Sequence, residues 1–336
     1  MPESSEFDEP PHLGESAPPT ASQPADHRAE IRPNYLLAAS LFLLTFFSTT
    51  TLGAGWYLST RTNLTTSLLP WLVPQTIVAV WTDPVLLSYG LKFSIPVLFI
   101  LICHELGHYC ACRFYNLPAT LPYFIPAPIA LGTLGAFIRI KAPIRRKVEL
   151  FDVGAAGPLT GFVVLIPFLV YGMWRSKPGA IEIAQGTEEI VAQLFVPGNN
   201  LALQALIRLF HGHLEAGTVI DFHPFALAGW VGMLATALNL LPMGQLDGGH
   251  ILYAVAGRLQ RWIGPLCWIG LALAGLLWSG WWFWCVIILV IGLRHPPIAD
   301  PEAPLGSRRW WAAAATLLIF ILVFIPIPLS IVFLAD

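Results

Sequence analysis

Long apolar runs alternate along the chain with short polar segments, and most of the runs are far too long for strands. A helix needs roughly 20 apolar residues to cross about 30 Å of hydrocarbon. Stretches of that order lie at about 35–58, 86–112, 151–173, 224–241 and 310–334. A further run, 262–293, is apolar throughout but broken at "SGWWFW", which leaves one long helix or a tight hairpin open. The pattern predicts an all-α polytopic membrane protein with about six to seven transmembrane helices.

One apolar stretch breaks the rule. Residues 116–140, "NLPATLPYFIPAPIALGTLGAFIRI", hold four prolines and two glycines. Each internal proline removes a backbone hydrogen bond and disfavours helix before it. Irregular backbone at membrane depth must be shielded by protein, so a re-entrant, β-hairpin-like loop is expected here. Residues 174–222 are polar to amphipathic, with "LALQALIRLF" expected to lie along the membrane surface on the extracytoplasmic side.

Composition agrees with the pattern. Of 336 residues 56% are hydrophobic and 11% charged, too few charges to cover a soluble globule. The formal net charge of -2 supplies no basic field, so nucleic acid is not expected as a partner. Residues 1–33, rich in Pro, Ser, Glu and Asp, read as a disordered tail. Arg113, Arg139, Lys141, Arg145, Arg146 and Lys147 sit between the second and third spans, on the same side as the tail. The opposite side holds Arg61, Lys92, Arg175, Lys177 and Arg208. By the positive-inside rule the richer side, and the N-terminus with it, is cytoplasmic. A multi-pass protein of the cytoplasmic (inner) membrane is expected. The five cysteines all lie in or beside apolar segments and read as packing residues rather than a disulfide framework.

Into this apolar background the second run ends in "LICHELGHYC", residues 101–110. In a helix, His104 and His108 share one face, and the intervening Glu105 can reach a water on a metal that both imidazoles bind. A charged residue at a membrane helix centre costs at least ~2.5 kcal/mol, so the constellation implies a task. Catalytic zinc takes three protein ligands and a water whose pKa falls to about 7. Glu105 is then the general base. Two histidines leave one ligand missing. Glu149 and Asp152 open a helix, where capping or ion pairing suits them. Asp247, in "NLLPMGQLDGGH" after an apolar helix, is the better third ligand, with Gly248 and Gly249 allowing a backbone turn that aims it inward. His250 reads as a solvated interfacial histidine, and His211 and His213 point apart if helical.

"HELGH", the loop with "GTLGAF", the following "GAAGPLTGF" and "NLLPMGQLDGGH" together resemble the site-2 protease family of intramembrane zinc metalloproteases. The likeness covers about residues 86–260. It implies one Zn2+ held by His104, His108 and Asp247, Glu105 as base, and Asn239 near the substrate carbonyl or its oxyanion, with a packing hydrogen bond as the alternative for Asn239. It also implies that Gly132, Thr133 and Gly135 belong to an edge that receives an extended substrate strand, or else to a loop that plugs the site. Residues 34–336 would form the membrane protease domain, with additional membrane helices in 262–336. The partners implied are membrane-anchored, single-span protein substrates within the lipid bilayer. The chain departs from many members of that family, because 174–222 is too short for a peptide-binding PDZ domain. Two rivals stand beside this reading. A zinc or other divalent metal transporter needs ligands stacked along a path, and a prenyl-protein-type membrane zinc protease uses a glutamate as third ligand.

Overall fold

The computed structural model describes residues 34–61, 74–127, 131–179, 192–215 and 218–334. The segment 1–33, expected as a disordered tail, lies outside the described residues.

The chain is mostly helical. Helix α1 (Tyr35–Arg61) and the short α2 (Pro74–Thr82) precede α3 (Pro84–Phe114), which carries the histidine pair. Asp83 caps α3 by accepting hydrogen bonds from the amides of Val85 and Leu86, and Pro84 occupies the first turn, where a missing N–H costs nothing. The helix stops at Tyr115, and Asn116 follows with a left-handed φ of 57°. Strands β1 (Tyr123–Pro126) and β2 (Thr133–Phe137) form an antiparallel pair, and α4 (Lys147–Arg175) follows. The proline-rich stretch thus becomes a hairpin, with part of its turn, 128–130, outside the described residues.

Beyond α4 come β3 (Lys177–Gly179), β4 (Ala192–Pro197), α5 (Leu201–His211) and β5 (Val219–Asp221). Then follow α6 (Pro224–Asn239), α7 (Asp247–Ala256), α8 (Gln260–Ala274), α9 (Gly280–Ile291), α10 (Ser307–Val323) and β6 (Leu329–Leu334). Strand β3 pairs with β5, and β4 pairs with β6, both antiparallel.

Among the described residues, α1, α3 and α4 are long and apolar enough to cross a membrane. Helix α3 alone, with 31 residues, is about 46 Å long, well beyond the hydrocarbon thickness. The apolar run 262–293 resolves as a helical hairpin, α8 and α9, turning at Gly275–Ser279. The final segment departs from expectation. The span read over 310–334 is a helix only to Val323, after which Pro326 and Pro328 end it and the chain pairs with β4 as β6.

The core is built where α3 packs against α1, α4 and α6. Phe93, Leu165, Met173 and Met233 are fully enclosed there, and Trp230 is buried with its indole N–H on the Gly198 carbonyl at 3.0 Å. Stripping apolar surface of this kind from water or lipid contributes packing along the whole contact. The same packing sets the helices that carry the polar residues side by side.

Candidate metal centre

His104 and His108 lie one turn apart on the buried face of α3, at 4% and 6% exposure. Asp247 is the first residue of α7, and its carboxylate reaches both rings. The distances from Oδ2 are 3.3 Å to His104 Nε2 and 3.2 Å to His108 Nε2, and the two Nε2 atoms are 3.2 Å apart. Three donor atoms at the corners of so even a triangle fit one face of a tetrahedron with bonds of 2.0–2.1 Å, whose edge is about 3.3 Å. Among the described residues, this is the group of three that can hold a metal ion.

The proton inventory points the same way. His108 Nδ1 lies 2.7 Å from the Val153 carbonyl. A carbonyl only accepts, so Nδ1 carries a proton, and Nε2 is the nitrogen that would offer its lone pair to a metal at the centre. Two imidazoles and a carboxylate turned on one point suit a cation between them.

Helix α4 shapes the pocket by what it lacks. A β-carbon on Gly157 would fall 2.1 Å from His108 Nε2, and one on Gly161 would fall 3.0 Å from His104 Nδ1. The small-residue stripe of "GAAGPLTGF" is therefore the wall on which the two rings lie. The glycines after Asp247 act differently from the expectation that they make a turn. Gly248 and Gly249 sit within the first turn of α7 with no positive φ, and a β-carbon on Gly248 would lie 2.1 Å from the Leu240 carbonyl. They let α7 press onto the backbone of the preceding loop. The turn itself is made at Gly244, whose φ is +54°.

Glu105 is 4% exposed and lies beside the three ligands. Asn239, the last residue of α6, places its amide nitrogen 3.2 Å from His104 Nε2. The structure thus brings His104, Glu105, His108, Asn239 and Asp247 together. Gly132, Thr133 and Gly135 stand apart from the ligands in the hairpin. The Gly132 carbonyl accepts a hydrogen bond of 2.6 Å from Ser48 of α1. Thr133 is buried and spends its hydroxyl inside the hairpin, on the Ile125 carbonyl and the Gly135 amide. Gly135, with φ +104° and open space where a side chain would be, is the bare position on β2.

Other polar residues find plainer partners. Asp152 forms a bidentate ion pair with Arg309, at 2.8 Å and 2.7 Å, and Glu149 accepts from the Arg146 amide at the start of α4. The five cysteines are free. His211 bonds the Met173 carbonyl. His250 is not a lone solvated residue. Its Nδ1 lies 2.8 Å from Nε2 of His295, which stacks on Tyr253 and bonds the Pro296 carbonyl through Nδ1. Burial pushes His295 below the ordinary imidazole range. Nothing in the sequence signalled His295, 45 residues away from its partner.

Residues 92–267 match the family model for peptidase family M50. The chain belongs to peptidase family M50, the site-2 proteases. The matched stretch contains every residue of the cluster. The chain is 30% identical over 313 residues to the protein named probable zinc metalloprotease EGY1, chloroplastic, of Oryza sativa subsp. japonica, covering 88% of this chain and 50% of that protein. It is 31% identical over 237 residues to the EGY1 protein of Arabidopsis thaliana, covering 67% and 40%, and 28% identical over 249 residues to EGY2 of the same plant, covering 73% and 43%. The chain spans half or less of the length of these relatives.

Proposed function

We propose that this chain is a zinc endopeptidase that hydrolyses a peptide bond within or near the transmembrane segment of membrane-anchored proteins. The observation that carries the reading is the convergence of His104 and His108, on the membrane-length helix α3, with Asp247 of α7 on one point, and Glu105 buried beside them.

A zinc ion held by the three ligands would supply Lewis acidity and a water acidified toward neutral pH. Every other part belongs to the chain. Glu105 takes a proton from the attacking water and delivers it to the leaving amine. Asn239 is placed to donate a hydrogen bond to the substrate carbonyl as negative charge develops on its oxygen. An extended substrate segment adds to the edge of β2 that β1 leaves unpaired, where Gly135 removes side-chain obstruction. A helical peptide offers no such strand, so the substrate's transmembrane helix unwinds locally before cleavage. The hairpin is re-entrant in this reading, and the site opens to the basic, cytoplasmic side of the membrane. That side is assigned from the placement of the basic residues.

The transporter alternative calls for a ladder of ligands. Among the described residues the three-ligand group stands at one depth, which favours hydrolysis. The test is Glu105→Gln in the purified, reconstituted chain. We expect full zinc content by elemental analysis and no cleavage of a single-span substrate. Retained cleavage overturns the reading, and zinc flux into sealed vesicles that survives the substitution transfers it to transport.

A further inference from the structure

On the far side of α4 from the metal centre lies a cavity of about 870 Å³, bounded by α3, α4 and α10. Gly157 and Gly161 face the histidine rings, whereas Ala155, Leu159 and Thr160 line the cavity, so α4 separates the two. A peptide lying in this cavity has a helix between itself and Glu105, which removes it as a route for substrate.

Its chemistry is graded along the helices. Below the rim the groove is apolar, lined by Cys103, Leu106 and Cys110 of α3 with Leu159 of α4, and Phe114 stands near the rim. Leu106 and Phe114 are 40% and 79% exposed. The rim is polar and gathers at one level, where α3 ends, α4 starts and α10 begins. There Tyr115, Asp152 and Arg309 are tied together, the tyrosine hydroxyl donating to Asp152 and Arg309 bridging both. That network is internally neutralised. Arg308, exposed on the same rim, has no carboxylate partner among the described residues.

From Tyr115 down to Cys103 the groove is about 18 Å deep, close to the ~15 Å thickness of one leaflet. A recess of this kind on the outer surface of two membrane-length helices meets acyl chains, not water. A cation without a partner at its rim meets phosphates, and basic pockets between membrane helices are suited to anionic head groups. We propose that this groove is a binding site for one anionic phospholipid, with an acyl chain lying along Leu106, Cys110 and Leu159 and the phosphate on Arg308. The site stands apart from the catalytic reading and survives if that reading fails.

The test uses the full chain reconstituted in vesicles of equal phosphatidylglycerol and phosphatidylcholine, extracted in mild detergent and weighed by native mass spectrometry. One retained phospholipid, enriched in phosphatidylglycerol, is expected. Arg308→Glu should retain a lipid but reduce the enrichment at least about fivefold, the effect of one interfacial charge. Cys110→Trp, which fills the apolar part from an exposed position, should lose the retained lipid. Zinc content and helical circular dichroism serve as folding controls for both variants. A wild-type chain that retains no lipid, retention unchanged in Cys110→Trp, or enrichment unchanged in Arg308→Glu overturns the proposal. So does a photo-cross-linker at Leu106 that captures a protein segment in place of lipid.

Discussion

His108 gives its Nδ1 proton to the Val153 carbonyl at 2.7 Å, so a backbone oxygen of α4 fixes which nitrogen of an α3 side chain faces Asp247. Ring orientation, tautomer and helix packing are therefore one property of the molecule. Disturbing the packing of α4 on α3 should reach the metal before it reaches the fold.

Gly157→Ala is the sharpest probe of that coupling. Its β-carbon would stand 2.1 Å from His108 Nε2, and the ring must move. Zinc affinity should fall about 10- to 100-fold, as it does when the groups that orient a ligand are lost. Zinc retained against a chelator series, with helical content unchanged, checks it.

Asp247→Asn keeps the shape of the third ligand and removes its charge. Zinc should be lost while the neighbouring contact between His250 and His295 persists. Metal analysis alongside the two imidazoles' NMR signals separates loss of ligation from collapse of α7.

Gly132→Ala strikes the hairpin instead. With φ +74° and a β-carbon 2.8 Å from Thr49 Cα, the residue has neither the conformation nor the space for a side chain. The hairpin should lift from α1 and weaken the Ser48 hydrogen bond. Cleavage should fall at least about tenfold through KM, with zinc stoichiometry unchanged, as measured on a reconstituted single-span substrate.

Arg309→Leu removes one partner of the ion pair with Asp152. The side chains are 31% and 27% exposed, so screening limits the loss to about 1 kcal/mol despite the bidentate geometry. A double-mutant cycle with Asp152→Asn, read as thermal stability in detergent, measures it.

The spacing of His104, Glu105 and His108 was legible because helical periodicity alone puts the two rings on one face. Asp247 was legible because an acid beside glycines in apolar sequence has few other uses. The Val153 carbonyl was not, since every residue has one and only the fold says which is nearby. The glycines of "LDGG" were visible, but their use was misread, because close approach of two backbones leaves no mark that distinguishes it from a turn. The last apolar run misled for a related reason. Hydrophobicity fits a span and a paired strand equally, and Pro326 with Pro328 was the signal for the second.

Consider, finally, the glycines at 157 and 248. Each occupies a point where a single methyl would collide with a ligand ring or with the loop that delivers the third ligand. Residues that donate nothing to a metal therefore set the size of its site. Small-to-large substitutions on α4 and α7 should abolish activity as readily as loss of a ligand does.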